Sequence, residues 1–191
     1  YQFAHPGKKL NFMGNELASF DEWNEKRSLT WKLKEFPKHD SVSRMMRDLN
    51  LIYRNHQSMY MEEYNPANFR WIIVDNSMQS IFAFRRTYKD ETMIFIFNMT
   101  PNFYHSYEVG VPFEGSYEEV FNSDKGVYGG SDQYNGLPLV SRPISMHNQA
   151  HSISLQIASF SAIYLKYIAP KKEEVKEVVS QKDSEPKQDK E

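Results

Sequence analysis

Hydrophobic and polar positions over the second half of the chain follow the pattern of short β-strands. Runs rich in aromatic and β-branched residues are separated by turn residues, and Ile153, Leu155 and Ile157 alternate with polar neighbours, as a strand with one buried face requires. The pattern predicts seven strands, over residues 69–75, 80–88, 92–98, 107–111, 116–122, 152–157 and 162–168. Seven short strands with turns between them predict an antiparallel β-sandwich.

One interruption of the strand pattern covers residues 122–142. In this span four glycines are spaced among polar residues, at Gly126, Gly129, Gly130 and Gly136. Glycine and small polar residues favour turns and irregular backbone, so the span is predicted to be a long surface loop.

The first 62 residues have a different pattern. An apolar run at residues 10–13 predicts a strand, and an irregular stretch containing Trp23 and Trp31 follows it. Apolar residues at helical spacing then predict a helix from about Asp40 to Asn55, with Asp40 or Ser41 as its cap. Because one strand and one helix bury little surface alone, we expect segments that precede Tyr1 to complete this unit.

The proportion of charged residues, of both signs, rises sharply at the C-terminus. Of the 22 residues in 170–191, 13 are charged and none is aromatic, so this segment is predicted to be a disordered tail, with a short helical turn possible over 173–179. The predicted organisation is therefore a strand-loop-helix unit over 1–62, an all-β domain over 63–169 and a tail over 170–191.

Composition narrows the function classes. The chain has no cysteine, which excludes a disulfide framework and a thiolate metal site and fits a reducing compartment, so we expect a cytoplasmic protein. Lys and Arg number 23 against 25 Asp and Glu, so there is no basic footprint for nucleic acid. No apolar run approaches the roughly 20 residues that span a bilayer. We therefore expect neither a nucleic-acid nor a membrane partner.

Several short motifs, taken in order, resemble one family. The segment 8–16, with Glu22-Trp23-Asn24 and Ser28-Leu29-Thr30-Trp31 after it, resembles the eighth strand and following loop of glycogen (1,4-α-glucan) branching enzymes of the α-amylase family. Further motifs resemble the last barrel helix and the C-terminal β-domain of these enzymes: Arg47-Asp48-Leu49-Asn50, Asn98-Met99-Thr100-Pro101, Val109-Gly110-Val111-Pro112, Asn122-Ser123-Asp124 and Tyr128-Gly129-Gly130-Ser131. Two positions depart from the family pattern, where Leu17 replaces a Phe and Lys32 replaces a His.

The resemblance implies a mainly β chain, with a C-terminal β-sandwich preceded by the last strand, loop and helix of a (β/α)8 barrel. It implies transfer of an α-1,4-glucan segment to a sugar 6-hydroxyl by a retaining mechanism. That mechanism uses two Asp and one Glu on earlier barrel strands, and none of their motifs is present in this chain. We therefore expect no catalytic residue here and an inactive isolated chain, whose partners are the rest of the barrel and the α-glucan substrate.

The candidate substrate-binding residues lie on the loop after the predicted strand. They are Glu16, Glu22, Trp23 and Asn24. A retaining pair of carboxyl groups stands about 5 to 5.5 Å apart. Glu16 and Glu22 are six positions apart in a loop, which does not fix the distance between their carboxyl groups, so both are assigned a supporting role. The Trp23 ring either stacks on a glucose unit or anchors the loop by packing on the barrel, whereas Trp31 is expected in the core.

Other sites are not supported by the sequence. His147 and His151 are four residues apart without a third ligand, and no glycine-rich loop opens a helix, so neither a metal nor a cofactor is expected. Two functions remain open as alternatives to the branching enzyme. One is a non-catalytic glucan-binding β-sandwich module, and the other is the C-terminal part of a related α-amylase-family hydrolase.

Overall fold

The structure, a computed structural model, describes residues 1–170. Within that range the chain forms a single α-helix, eight strands and several short 3-10 helices. The regular elements are α1 (Pro37–Asn55), β1 (Phe69–Ile73), β2 (Ile81–Tyr88), β3 (Glu91–Asn98), β4 (Tyr104–Val111), β5 (Ser116–Asn122), β6 (Leu139–Val140), β7 (His151–Ile157) and β8 (Ala162–Ile168).

The strands form two antiparallel sheets. The larger sheet has the order β1-β2-β3-β8-β5-β6, and the smaller one pairs β4 with β7. All seven predicted strands are present, which confirms the mainly β fold class. β6 is an additional short strand inside the span that was predicted to be a loop, and it pairs with β5 through Ser116 and Val140.

The core of the sandwich lies between the two sheets. The predicted inward face of β7 is confirmed, since Ile153, Leu155 and Ile157 are each at most 3% exposed. These side chains pack against residues such as Ile94 and Ile96 of the larger sheet. Burial of each such side chain contributes about 1.5–3 kcal/mol, so the alternating face of β7 helps to hold the two sheets together.

The larger sheet is also covered on its other face. Phe84, Phe95 and Phe97 point away from the smaller sheet and pack with Leu49 of α1 and Met59 beyond it. As a result β3 is buried on both faces, and seven of its eight residues, from Thr92 to Asn98, are buried. A continuous apolar run, rather than an alternating one, is typical of a strand in this position.

The predicted strand at residues 10–13 is wrong. This segment is irregular, and Leu10 is 71% and Phe12 47% exposed. A strand needs a neighbour to pair its backbone groups, and no strand of residues 1–170 lies beside this segment. Gly14 follows with φ +89°, and the backbone then turns into a 3-10 helix at Asn15–Leu17.

Helix α1 begins three residues before its predicted start. Pro37 occupies the first turn, where its missing N–H costs nothing and its fixed φ suits a helix. Phe36 is the N-cap residue, and its side chain makes no capping hydrogen bond, so neither Asp40 nor Ser41 is the cap. Asp40 instead pairs with Arg44 one turn later, at 2.6 Å.

Within residues 1–170 no helix is long and apolar enough to cross a bilayer.

The predicted tail and its possible helical turn lie outside the described residues, except for Pro170.

In the 122–142 span, the 3-10 helix Gly126–Tyr128 packs near α1. The Tyr128 hydroxyl donates a hydrogen bond to Asp48 Oδ2 at 2.9 Å. Burial, with a smaller effect from this hydrogen bond, raises the pKa of Tyr128 to about 12. The hydroxyl therefore stays protonated and remains a donor.

Glu91, at the start of β3, fastens the segment that follows α1. Its Oε2 accepts a hydrogen bond from the Ser58 N–H at 2.8 Å, and its Oε1 lies 2.7 Å from His56 Nδ1. Burial by itself raises the pKa of Glu91, but the hydrogen bonds from Ser58 and His56 outweigh that effect and hold the pKa below its ordinary value. The folded protein therefore favours the ionised carboxylate.

We expect Glu91→Gln to lower the free energy of unfolding at pH 7 by about 1 kcal/mol. Because the folded pKa is depressed, the contribution of the carboxylate is complete above the unfolded value of about 4.3 and is lost as the pH falls through the folded value. The difference between Glu91→Gln and the parent, measured by urea unfolding, should therefore shrink below about pH 4.3. The exposed Glu118→Gln serves as the control. If Glu91→Gln lowered the free energy of unfolding by the same amount at every pH, the charge of Glu91 would not contribute to stability.

Candidate functional site

The loop after residue 13 is anchored by one buried side chain. Leu17 is fully buried, at 0% exposure, in the 3-10 helix that follows Gly14. The Leu17 carbonyl accepts a hydrogen bond from His39 Nδ1 at 2.7 Å, so the loop is tied to the first turn of α1. These contacts give a mostly exposed loop a defined position.

A cleft of about 100 Å³ opens in this loop. Its walls are formed by Met13 and by residues between Ser19 and Thr30, among them Glu22, Trp23 and Asn24. Asp21 Oδ2 accepts a hydrogen bond from Thr30 Oγ1 at 2.8 Å, which closes the loop across nine residues. Asn24 Oδ1 accepts one from the Lys26 N–H at 2.9 Å and so forms a local turn.

Trp23 is half-exposed on the wall of this cleft. The residue is 52% exposed, and its ring meets Phe12 edge to face with 5.6 Å between the ring centroids. Phe12 supports the ring on one side and leaves the rest of it open. An aromatic ring held in this way presents an apolar face and a polar N–H edge to the cleft.

Three of the four predicted site residues lie together, and the fourth does not. Glu22, Trp23 and Asn24 line the cleft, whereas Glu16 is outside it. Glu16 Oε2 accepts a hydrogen bond from Asn11 Nδ2 at 3.0 Å on the preceding turn. The expectation that Trp31 lies in the core is wrong, since Trp31 begins the 3-10 helix Trp31–Glu35 and is 56% exposed.

Sequence reasoning missed Asp21 and Thr30 as parts of this site. Both residues line the cleft and are joined by a hydrogen bond, but they are nine positions apart in irregular backbone. No periodicity relates side chains across such a loop, so only the folded chain brings them together. Arg27 also lines the cleft and supplies its positive charge.

The two histidines weighed as metal ligands have other surroundings. His147 Nδ1 accepts a hydrogen bond from the Gly110 N–H at 3.1 Å, and burial, opposed by Asp75, lowers the pKa of His147. His151 lies in β7. No cluster of three potential metal ligands among His, Cys, Asp and Glu occurs in the part of the chain that the structure describes.

Comparison with known proteins places the chain in a family. Residues 71–168, about half of the chain, match the family model of the α-amylase C-terminal all-β domain. The 1,4-α-glucan branching enzyme GlgB of Bacillus subtilis (strain 168) is 41% identical over 170 residues, which cover 88% of this chain and 27% of that protein. The 1,4-α-glucan branching enzyme GlgB 1 of Xanthomonas axonopodis pv. citri (strain 306) is 39% identical over 167 residues, covering 86% of this chain and 23% of its own length.

The chain thus spans about a quarter of the length of the curated relatives that it matches. Among solved structures, AmyP in complex with maltose aligns with 76% of this chain and 23% of its own at a TM-score of 0.47 and 11% identity. The sequence matches confirm the resemblance drawn from the motifs. The chain therefore belongs to the family of the α-amylase C-terminal all-β domain.

Proposed function

We propose that this chain works as the C-terminal part of a 1,4-α-glucan branching enzyme. The observation that supports the proposal is the identity of about 40% to proteins of that name, which extends over 86–88% of this chain. In this proposal residues 1–62 complete a catalytic barrel, residues 63–169 form the all-β domain, and the whole acts on α-glucan in the cytoplasm. The catalytic carboxylates come from the rest of the enzyme.

The proposed role of the cleft is to hold the glucan near the reacting bond. Trp23 stacks on a glucose unit, and Glu22 and Asn24 accept or donate hydrogen bonds to its hydroxyls. Glu16 contacts a neighbouring unit from the preceding turn. Transfer to a sugar hydroxyl rather than to water requires a positioned acceptor and partial exclusion of water, and a half-exposed ring with polar neighbours contributes to both.

The module alternative is less well supported by the packing. A glucan-binding sandwich presents aromatic rings on an open sheet face, whereas the large rings of the central strands are buried. Phe84, Phe95, Phe97, Tyr117 and Tyr164 are each at most 1% exposed. We therefore favour a structural role for these rings in the sheet.

A chimera tests the proposed function. The aligned part of the Bacillus subtilis relative is replaced by this chain, and α-1,6 linkages formed from amylose are counted by debranching and chain-length analysis. We expect the chimera to branch amylose, and both the truncated relative and the 191-residue chain alone to show no branching. New reducing ends without α-1,6 linkages would support the hydrolase alternative. Branching by the isolated chain would disprove the assignment of catalysis to the rest of the enzyme.

In the same chimera we expect Trp23→Ala to raise KM for amylose about three- to tenfold, because stacking of one aromatic ring contributes about 0.5–1.5 kcal/mol. Phe20→Ala is the matched control, since Phe20 is 93% exposed on the same loop but does not line the cleft. A lower Tm with an unchanged KM would identify Trp23 as an anchor of the loop.

A further inference from the structure

The loop over residues 122–142 contains an asparagine followed directly by a glycine, at Asn135 and Gly136. In such a pair the backbone nitrogen of the glycine can attack the side-chain amide of the asparagine, because glycine has no Cβ to obstruct the approach. Gly136 is exposed, and its N–H donates no hydrogen bond within residues 1–170. A Cβ built on Gly136 would contact only the Tyr134 ring, at 3.8 Å. The attacking nitrogen is therefore unobstructed in the folded chain.

The Asn135 side chain fastens this loop to both sheets of the sandwich. Its Nδ2 donates to Glu119 Oε2 on β5 at 2.8 Å and to the Gln156 carbonyl on β7 at 3.1 Å. Its Oδ1 accepts a hydrogen bond from the Gln156 N–H at 3.0 Å. Because β5 belongs to the larger sheet and β7 to the smaller one, a single amide group joins three parts of the β-domain.

We propose that Asn135 is a site of spontaneous deamidation. The Gly136 N–H loses its proton to hydroxide, the nitrogen forms a bond to Asn135 Cγ, and the Gln156 N–H stabilises the negative charge that develops on Oδ1. The Cγ–Nδ2 bond then breaks, and Nδ2 takes a proton from water and leaves as ammonia. Water opens the resulting cyclic imide at either carbonyl, which gives aspartate or isoaspartate. Water is the only co-reactant, and nothing is oxidised or reduced.

A carboxylate at position 135 does not suit these surroundings. An oxygen in the place of Nδ2 would face two acceptors, Glu119 Oε2 and the Gln156 carbonyl oxygen, where the amide now donates to both. Glu119 Oε1 is buried and accepts no hydrogen bond from any group in residues 1–170, so the existing carboxylate is already short of donors. Two carboxylates in contact repel each other. Deamidation therefore loosens the 122–142 loop from the two sheets.

Incubation of the 191-residue chain at mildly alkaline pH, followed by peptide mass spectrometry, tests the reaction. We expect the peptide that contains Asn135 to shift by the mass difference between an amide and an acid, and part of the product to be isoaspartate. The folded chain should react about tenfold more slowly than the urea-unfolded chain, because the hydrogen bonds of the amide hold it in place. Gly136→Ala is the matched control, since its Cβ obstructs the attack but has room in the fold. An Asn135 that stays intact in the folded chain long after the unfolded chain has reacted, or an equal rate in Gly136→Ala, would overturn the assignment.

The consequence for the loop is tested by Asn135→Asp, which carries the side chain of one product. We expect this variant to lower Tm by about 5 °C, because the amide donor is lost and two carboxylates meet. Adding Glu119→Gln should recover most of that loss, since a glutamine donates to the new carboxylate. Glu118→Gln is the control for this second change, because Glu118 is exposed at the neighbouring position of β5, and it should recover almost nothing. An unchanged Tm for Asn135→Asp, or equal recovery by the two glutamine variants, would contradict the proposed loosening.

Discussion

Gly110→Ala is expected to lower the free energy of unfolding by about 3 kcal/mol or more, because β4 has no room for a side chain at this position. An alanine Cβ built on Gly110 lies 2.1 Å from the Met146 carbonyl oxygen and 2.8 Å from the carbonyl carbon. Both atoms belong to backbone, so no rotation of a side chain relieves the overlap. The new methyl group must separate β4 from the turn that covers it.

That turn cannot move freely. Met146 and Gln149 exchange two backbone hydrogen bonds, at 2.8 and 3.1 Å. Between them His147 and Asn148 have φ of +50° and +58°, as in the tight hairpin turns that suit twisted strands. Since the Gly110 N–H also donates to His147 Nδ1, a displacement of the turn breaks that bond as well. The overlap therefore costs packing and hydrogen bonds together.

Urea unfolding of Gly110→Ala and Gly136→Ala measures the effect against a matched control. At Gly136 a Cβ would meet only the Tyr134 ring, at an ordinary 3.8 Å, so alanine there should change stability by about 0.5 kcal/mol or less. Equal stability of the two variants would mean that the 146–149 turn does not rest on β4.

The strands were predictable because their signals are local. Alternation at residues 152–157 marks β7, and the run of apolar residues at 93–97 marks β3. The run does not specify the second layer that buries it, since α1 ends at Asn55, 38 residues before the run begins at Met93. The segment 10–13 has the composition of a strand and no partner strand in the described range, so local pattern gave the wrong element there.

The candidate site was predictable only in part. The short segment 22–24 keeps its residues together, so any fold of the loop that opens a cleft there contains all three. Glu16 is only six residues before Glu22, yet an intervening turn places it outside the cleft.

Arg86 is the other position where we expect a large effect, because a buried charge there joins three segments. Its side chain, on β2, is 1% exposed. Arg86 Nη1 donates to the Met59 carbonyl at 2.6 Å and to the Ala4 carbonyl at 3.4 Å. Burial lowers the pKa of the guanidinium and the charge of Glu63 opposes this, and an arginine remains protonated in either case. The N-terminal segment, the segment after α1 and the larger sheet thus meet at one cation.

Arg86→Ala should lower the free energy of unfolding by about 3–5 kcal/mol, since it leaves two buried carbonyl groups without their donor and removes a buried positive charge near Glu63. Arg85→Ala is the control, because Arg85 lies on the other face of β2, half-buried, with its guanidinium 5.8 Å from the Phe113 ring centroid, and it should cost about 1 kcal/mol. A second readout separates charge from packing. Burial and the charge of Arg86 lower the pKa of Lys9 to about 8, so Arg86→Ala should raise that pKa in an NMR titration. An unchanged Lys9 pKa, or equal losses for the two variants, would mean that Arg86 does not join these segments electrostatically.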